Sequence, residues 1–284
     1  MSERKGLLLV CVAAVLFSVG GQGVKVIPWR GLSIASFRSL LAVAVLVAFA
    51  RLTRHPLRLT RGVVLGALAV CCNSVCFTVA TKLTTAANAI LLEFTSPVFV
   101  ILFLWLVFRE KPRGRDLLAC AVVFCGIGLF FLDGLGRGDI LGDLLAVCAG
   151  MGYAWVFLMN RLPGGDALFS TILGQCFGVL VGLPSLLGET DFRPSVLAWA
   201  AALGNFQLGL AYVFLTTGLR SAPPIPASLA AGIEPILNPV LVALTVGEPL
   251  SPLALAGGAV VFVTVMVYDL SSVRKGKEEK ENRE

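Results

Sequence analysis

Almost the whole chain divides into apolar runs of roughly 20 residues, the length a helix needs to cross the hydrocarbon core of a bilayer, about 30 Å thick. Ten are read, at about 6 to 26, 32 to 50, 62 to 80, 86 to 108, 115 to 133, 141 to 160, 168 to 187, 195 to 217, 226 to 246 and 252 to 270. Of the 284 residues only 14% are charged, against about 25% in a soluble domain, so lipid is the solvent for most of this chain. Lipid offers the backbone no hydrogen bonds, which leaves helices and closed barrels as spanning structures. The runs are continuously apolar and do not alternate, which excludes a barrel. The fold class is therefore an all-α membrane protein with ten transmembrane helices. The first run follows Arg4 and Lys5 as the core of a signal peptide would. No A-x-A site comes after it and the next run begins almost at once, so it is read as a retained span.

Two of the runs carry the same punctuation. Pro97 lies thirteen residues before Glu110, and Pro235 lies thirteen before Glu248, an offset of 138. At that offset Gly66 meets Gly204, Thr78 meets Thr216, Lys82 meets Arg220, and the Ala-Val-Val-Phe that starts at Ala121 meets the one that starts at Ala259. Matches of Val and Ala are cheap in an apolar chain; matched Gly, Pro, Glu and basic positions are not. The chain reads as a duplicated unit, residues 1–137 and 138–270, with a charged tail at 271–284. Five spans precede the linker GLGRGD (Gly134 to Asp139) and five follow it. An odd number of helices per unit inverts the second repeat relative to the first. Such inverted repeats exchange packing states and open a shared cavity to one side and then the other.

With the N-terminus taken as cytoplasmic, inner loops and tails hold seventeen of the 23 Lys and Arg. Outer positions hold Lys25, Arg30, Lys82, Arg137 and Arg193, and Arg38 lies within a span. This asymmetry follows the positive-inside rule, and it places both termini on the inner side of a bacterial cytoplasmic membrane. The net charge of +6 is thus a matter of orientation, with no nucleic-acid partner implied. All eight cysteines fall inside apolar runs, where they pack as small hydrophobes. The single histidine, His55, stands in an Arg-rich loop without a Cys/His cluster, so neither a metal site nor a Ser/His/Asp catalytic arrangement is expected. The Gly-rich stretches SVGGQG and AGMGYA lack a following GK[ST] and are read as close helix packing. The tail RKGKEEKENRE has no apolar face and is expected to be disordered.

Three stretches carry a family resemblance: SVGGQGVKVIPW with SIASFR (Ser18 to Trp29, Ser33 to Arg38), TTAANAILLEFTSPVFV (Thr84 to Val100) with Glu110, and ASLAAGIEPILNPVLVALTVGEPLS (Ala227 to Ser251). On these the chain resembles, over residues 6 to 270, the drug/metabolite transporter superfamily, and within it the ten-helix transporters built from two EamA-type repeats. The resemblance implies movement of small organic solutes through a central cavity, without an ATPase or a covalent cofactor. It does not imply one substrate. Where many similar sequences have Gln in an LLQYTSP-like stretch, this chain has Glu93 in LLEFTSP.

Charges within a span carry an insertion penalty of about 2.5 to 3.5 kcal/mol each, so each needs a partner or a wet cavity. Arg38, Glu93 and Glu234 are the three that stand out. Arg38 and Glu93 lie about 10 and 12 Å from the same face at 1.5 Å per residue, and so share a level. They form either a structural ion pair or a working one, in which Arg38 grips a substrate carboxylate and Glu93 binds an amine or the coupling proton. Pro235 and Pro239, following Glu234 and Asn238, each delete a backbone donor and kink or break their helix, and Pro97 does the same in the first repeat. An EP pair recurs at this place across the resembling family, so a gating or packing role stands beside a ligand role for Glu234. Gln175, Asn205 and Gln207, with Gln22, Asn73, Asn88 and Asn160, either reach the cavity or hydrogen-bond neighbouring helices. Tyr153, Trp155 and Tyr212 form an aromatic wall or part of a cation cage. Glu110 and Glu248, at helix ends, are read as boundary or gate residues.

The reading is a secondary transporter that moves a small polar or amphiphilic metabolite by alternating access. Export of an amino acid or related compound, with protons as coupling ion, is preferred. An organic cation of the choline or drug type is the alternative, and a non-transporting membrane scaffold is the alternative from another class. The expected partners are the small-molecule substrate and the lipid bilayer, with monomer and homodimer both open.

Overall fold

The computed structural model describes residues 1–111 and 140–247, together with separate positions between 114 and 129 and between 252 and 267. Eight helices among them are long and apolar enough to cross a membrane: α1 (Glu3–Val26), α2 (Gly31–Leu52), α3 (Arg61–Leu83), α4 (Ala86–Leu106), α5 (Ile140–Arg161), α6 (Ala167–Leu186), α7 (Pro194–Gly218) and α8 (Pro224–Thr245). No strand occurs among the described residues. The apolar run at 115–133 falls largely, and the linker, Glu248 and the charged tail wholly, outside the described residues, while the run at 252–270 is described in part.

Local chemistry sets where these helices begin. The side chains of Thr60, Thr85 and Asp166 accept the N–H groups of Val63, Asn88 and Phe169 at 3.1, 3.1 and 2.7 Å. Those donors belong to the first turn, which has no acceptor of its own inside the helix. Pro194 and Pro224 open α7 and α8, where a missing N–H loses no bond.

The two halves correspond at the offset of 138. Shifted by it, the bounds of α4 become 224–244, against Pro224–Thr245 for α8. Packing corresponds as well: α3 lies on α5 as α7 lies on α1, α3 on α6 as α7 on α2, and α4 on α5 as α8 on α1. The contacts of α2 with α6 and of α4 with α8 map onto themselves. Residues matched in the sequence do matched work. A Cβ added at Gly66 would lie 2.6 Å from the Ser170 hydroxyl of α6, and one at Gly204 would lie 2.6 Å from Cβ of Leu41 in α2. Both glycines therefore admit a close neighbour. Thr78 and Thr216 each donate a hydroxyl to the carbonyl four residues earlier, of Ser74 and Tyr212, at 2.7 Å.

Prolines interrupt the helices in the same register. The α4 helix breaks at Phe94–Thr95, between Ala86–Glu93 and Ser96–Leu106, and α8 passes through a 3₁₀ turn at Ala231–Ile233 before Glu234–Val246. Pro97 has no N–H for the Glu93 carbonyl, nor Pro235 for that of Ala231, four residues back in each case. Each proline thus sits in the first turn of a new segment, downstream of the interruption it helps to cause. Pro239 lies inside the Glu234–Val246 segment. Two further irregularities carry no proline signal: α1 breaks at Ser18–Val19, and α7 widens into a π-helix at Leu203–Leu210.

Both ends of the bundle are tied across loops. At one end Lys25 and Lys82 donate Nζ to the carbonyls of Thr84 and Ile27 at 2.8 and 2.5 Å. At the other end His55 Nδ1 accepts from Arg220 at 2.8 Å while its Nε2–H donates to Asp166 at 2.6 Å. That histidine thereby joins the two halves.

Candidate functional site

The irregular turns converge. Phe17 is the last helical residue before the break in α1, Glu93 the last before the break in α4, Glu234 the first after the 3₁₀ turn of α8, and Gln207 and Leu208 lie in the π segment of α7. Together with Arg38 from α2, Asn73 and Phe77 from α3, Tyr153 from α5 and Tyr212 from α7, they line one narrow cavity. Irregular backbone at this depth is tolerated where it faces protein or a cavity, and π turns recur at functional sites.

Polar contacts inside the cavity are specific. Arg38, 1% exposed, donates Nη2 to the carbonyl and hydroxyl of Ser74 at 2.9 and 3.1 Å, and Nη1 to Gln207 Oε1 at 3.4 Å. Gln207 in turn donates Nε2 to the Phe17 carbonyl at 3.4 Å, bonding the π segment to the α1 break. Glu93 accepts from Asn73 Nδ2 at 2.5 Å. The expected ion pair of Arg38 with Glu93 is not a direct one: both side chains line the cavity, and each hydrogen-bonds to α3 instead, at Ser74 and Asn73. Adjacent positions on one helix thus hold the cation and the anion. Phe17 sets its ring edge-on to Tyr212, centroids 5.2 Å apart, and to Tyr153 at 6.4 Å. Two buried polar atoms of the lining, Arg38 Nε and the Tyr153 hydroxyl, have no hydrogen-bond partner among the described residues.

Of the residues singled out from the sequence, Arg38, Asn73, Glu93, Glu234, Tyr153, Gln207 and Tyr212 meet in this cavity. Four others lie elsewhere. Gln175 accepts from Ser39 at 2.6 Å, tying α6 to α2. Trp155 stacks on Phe103 at 4.8 Å, and Asn205 donates to the Ala201 carbonyl at 3.0 Å within its own helix. Asn238 is fully buried against Gly21 of α1. Glu110 takes an ion pair from Arg161 at 2.8 Å, fastening the end of α4 to that of α5. Phe17, Phe77 and Leu208 were not legible as lining residues, because an apolar side chain facing a cavity looks in sequence like one facing lipid or core.

An α-helical, multi-pass membrane protein with an internal duplication and a polar cavity between its halves is the architecture of a transporter. Comparison with known proteins gives the family. The EamA-like transporter family model matches twice, over residues 4–132 and 140–268. The chain is 27% identical over 224 residues to the uncharacterized transporter YetK of Bacillus subtilis, covering 73% of this chain and 68% of that protein. It is 23% identical over 304 residues to an uncharacterized transporter of Clostridium kluyveri, covering 97% and 96%. One solved crystal structure shares the fold, with a TM-score of 0.68 at 18% identity over 95% of this chain and 98% of that one. The chain belongs to the EamA-like transporter family, within the drug/metabolite transporter superfamily. It is a membrane transporter.

Proposed function

We propose that this protein exports an amino acid or a related small amine-bearing metabolite in exchange for protons. It works as a ten-helix transporter of two inverted five-helix repeats in a bacterial cytoplasmic membrane, with both termini inside. The observation that carries the reading is the meeting of one guanidinium, Arg38, with two carboxylates, Glu93 and Glu234, in a single cavity lined by aromatic rings. Charges at this depth are retained where they serve a pathway. A zwitterion fits that set, its carboxylate toward Arg38 and its ammonium toward the glutamates. The breaks in α1, α4 and α8 supply hinges at which the halves rock, opening the cavity to each side in turn.

A second reading has its own support. Two carboxylates against one guanidinium, with Phe17, Phe77, Tyr153 and Tyr212 around them, also suit a permanent organic cation. Thermal-shift measurements on purified protein with L-lysine, L-phenylalanine, choline and succinate, each at acid and neutral pH, decide between them. Stabilisation by the amino acids supports the zwitterion; stabilisation by choline alone moves the assignment to a cation. Succinate as the strongest stabiliser would overturn both. Uptake into liposomes driven by a pH gradient then tests the coupling.

A further inference from the structure

Accepting the cavity as the transport site, its two carboxylates are held very differently. Asn73 donates Nδ2 both to Glu93 Oε1 and to the Ala149 carbonyl of α5, at 2.5 and 3.2 Å, and its Oδ1 accepts the Tyr212 hydroxyl of α7 at 3.4 Å. Three helices thus fix the amide that fixes Glu93. Gly150 closes the same spot, since a Cβ there would lie 2.8 Å from the Glu93 carbonyl. Glu234 lines the cavity with 6% of its surface exposed, yet makes no side-chain hydrogen bond or ion pair to a described residue. The same lining holds Arg38 Nε and the Tyr153 hydroxyl, two buried polar atoms with no hydrogen-bond partner among the described residues. Buried polar groups are nearly always satisfied, so these three groups are where an incoming group finds its bonds. The titratable and charged side chains facing Glu234 across the cavity are Arg38 from α2, Glu93 from α4, Tyr153 from α5 and Tyr212 from α7, while α1 contributes only Phe17.

We propose that Glu234 is the carboxyl that exchanges a proton for the cationic group of the substrate, and that Glu93 is a positioning residue locked by Asn73. In the exchange the O–H proton of Glu234 leaves to water on the open side as the substrate's ammonium takes its place, so at this carboxyl one positive charge replaces another, while the carboxylate of an amino acid is met by Arg38. Glu93 and Arg38 stay fixed by their hydrogen bonds to Asn73 and Ser74 of α3.

Dicyclohexylcarbodiimide, an apolar reagent that attacks protonated carboxyls, tests the division directly on the full chain in liposomes, with adducts located by mass spectrometry at acid, neutral and alkaline pH. The adduct on Glu234 is expected in excess of that on Glu93 by about tenfold or more, the effect of one hydrogen bond to a carboxylate, and to decline at alkaline pH. Asn73→Ala should bring Glu93 labelling up to that of Glu234. Tyr212→Phe, which frees Asn73 on one side without opening a void, should raise it by a smaller factor and serves if Asn73→Ala does not fold. Equal labelling of the two glutamates in the unmodified chain, no adduct on Glu234, or no response of Glu93 to either variant overturns the proposal. Labelling requires no transport. Counterflow of L-lysine and choline, measured in parallel, tests the transport reading by itself, and Glu234 labelling without any flux would remove the exchange role.

Discussion

The two interrupted helices, α4 and α8, share their backbone and differ in their chemistry. Pro97 and Pro235 deny the carbonyls of Glu93 and Ala231, which correspond at the offset of 138, their α-helical N–H partner four residues on, and both helices depart from α-helix there. The interruptions also touch, because a Cβ on Gly232 in the α8 turn would lie 2.9 Å from the Phe94 ring in the α4 break. The side chains, however, part company. Glu93 stands where α8 has Ala231, and Glu234 stands where α4 has Ser96. The same holds around the cavity: Phe17 corresponds to Trp155, Arg38 to Cys176, Asn73 to Ala211, Gln207 to Ala69 and Tyr212 to Ser74. Duplication supplied a frame whose halves pack alike, and the working groups were placed on it singly.

Changes to the unshared groups should therefore have the largest effects. Arg38→Leu removes the cation of the lining and leaves two carboxylates buried with it, which should destabilise the protein by about 3–5 kcal/mol and abolish flux; melting in detergent and liposome uptake measure the two effects. An unchanged melting temperature would show that Arg38 is not a counter-charge. Next come the glycines at the two breaks. Gly150→Ala drives a Cβ against the backbone carbonyl of Glu93 and should cost about 1–3 kcal/mol. Gly232→Ala meets the tip of the Phe94 ring, the far end of a side chain and not backbone, and should cost less than Gly150→Ala, about 1 kcal/mol. The opposite order would mean that the α8 turn, not the α4 break, is the rigid one. Phe17 and Trp155 make a third test, since they correspond but only Phe17 faces the cavity. Phe17→Ala should weaken the thermal shift given by L-lysine or choline, whereas Trp155→Ala lowers the melting temperature and leaves that shift alone. The smallest effect is expected from Glu110→Gln. Its ion pair with Arg161 leaves both side chains about half exposed, and exposed pairs contribute about 0–1 kcal/mol. A large loss of activity there would make this contact a gate.

Much of this was legible in the chain. Matched Gly66 and Gly204 turned out to be the close approaches of α3 and α7, and matched Thr78 and Thr216 the same hydroxyl-to-carbonyl bond. Arg38, Glu93 and Glu234 could be found because a charge in an apolar run is conspicuous. Their partners were harder. Asn73 stood among several Asn and Gln residues with nothing to rank it, and Trp155 and Gln175 had the right chemistry on the wrong side of their helices. The π segment of α7 left no mark at all, for it follows from the close packing of Gly204 on α2 and from the Gln207 bonds, both long-range.

By itself the sequence determined the solvent, the helices, the duplication and the charges Arg38, Glu93 and Glu234, though not the buried Asp143, because each depends on residue type and on spacing along one chain. Tertiary structure alone decided which of those groups share a cavity, that Arg38 and Glu93 answer to Ser74 and Asn73 before each other, and that the Glu234 side chain makes no hydrogen bond to a described residue. The physical reason is that hydrogen bonds reach about 3 Å. Whether two side chains come that close is settled by where helices break and how they pack, and the residues that set those packings lie far apart in the chain.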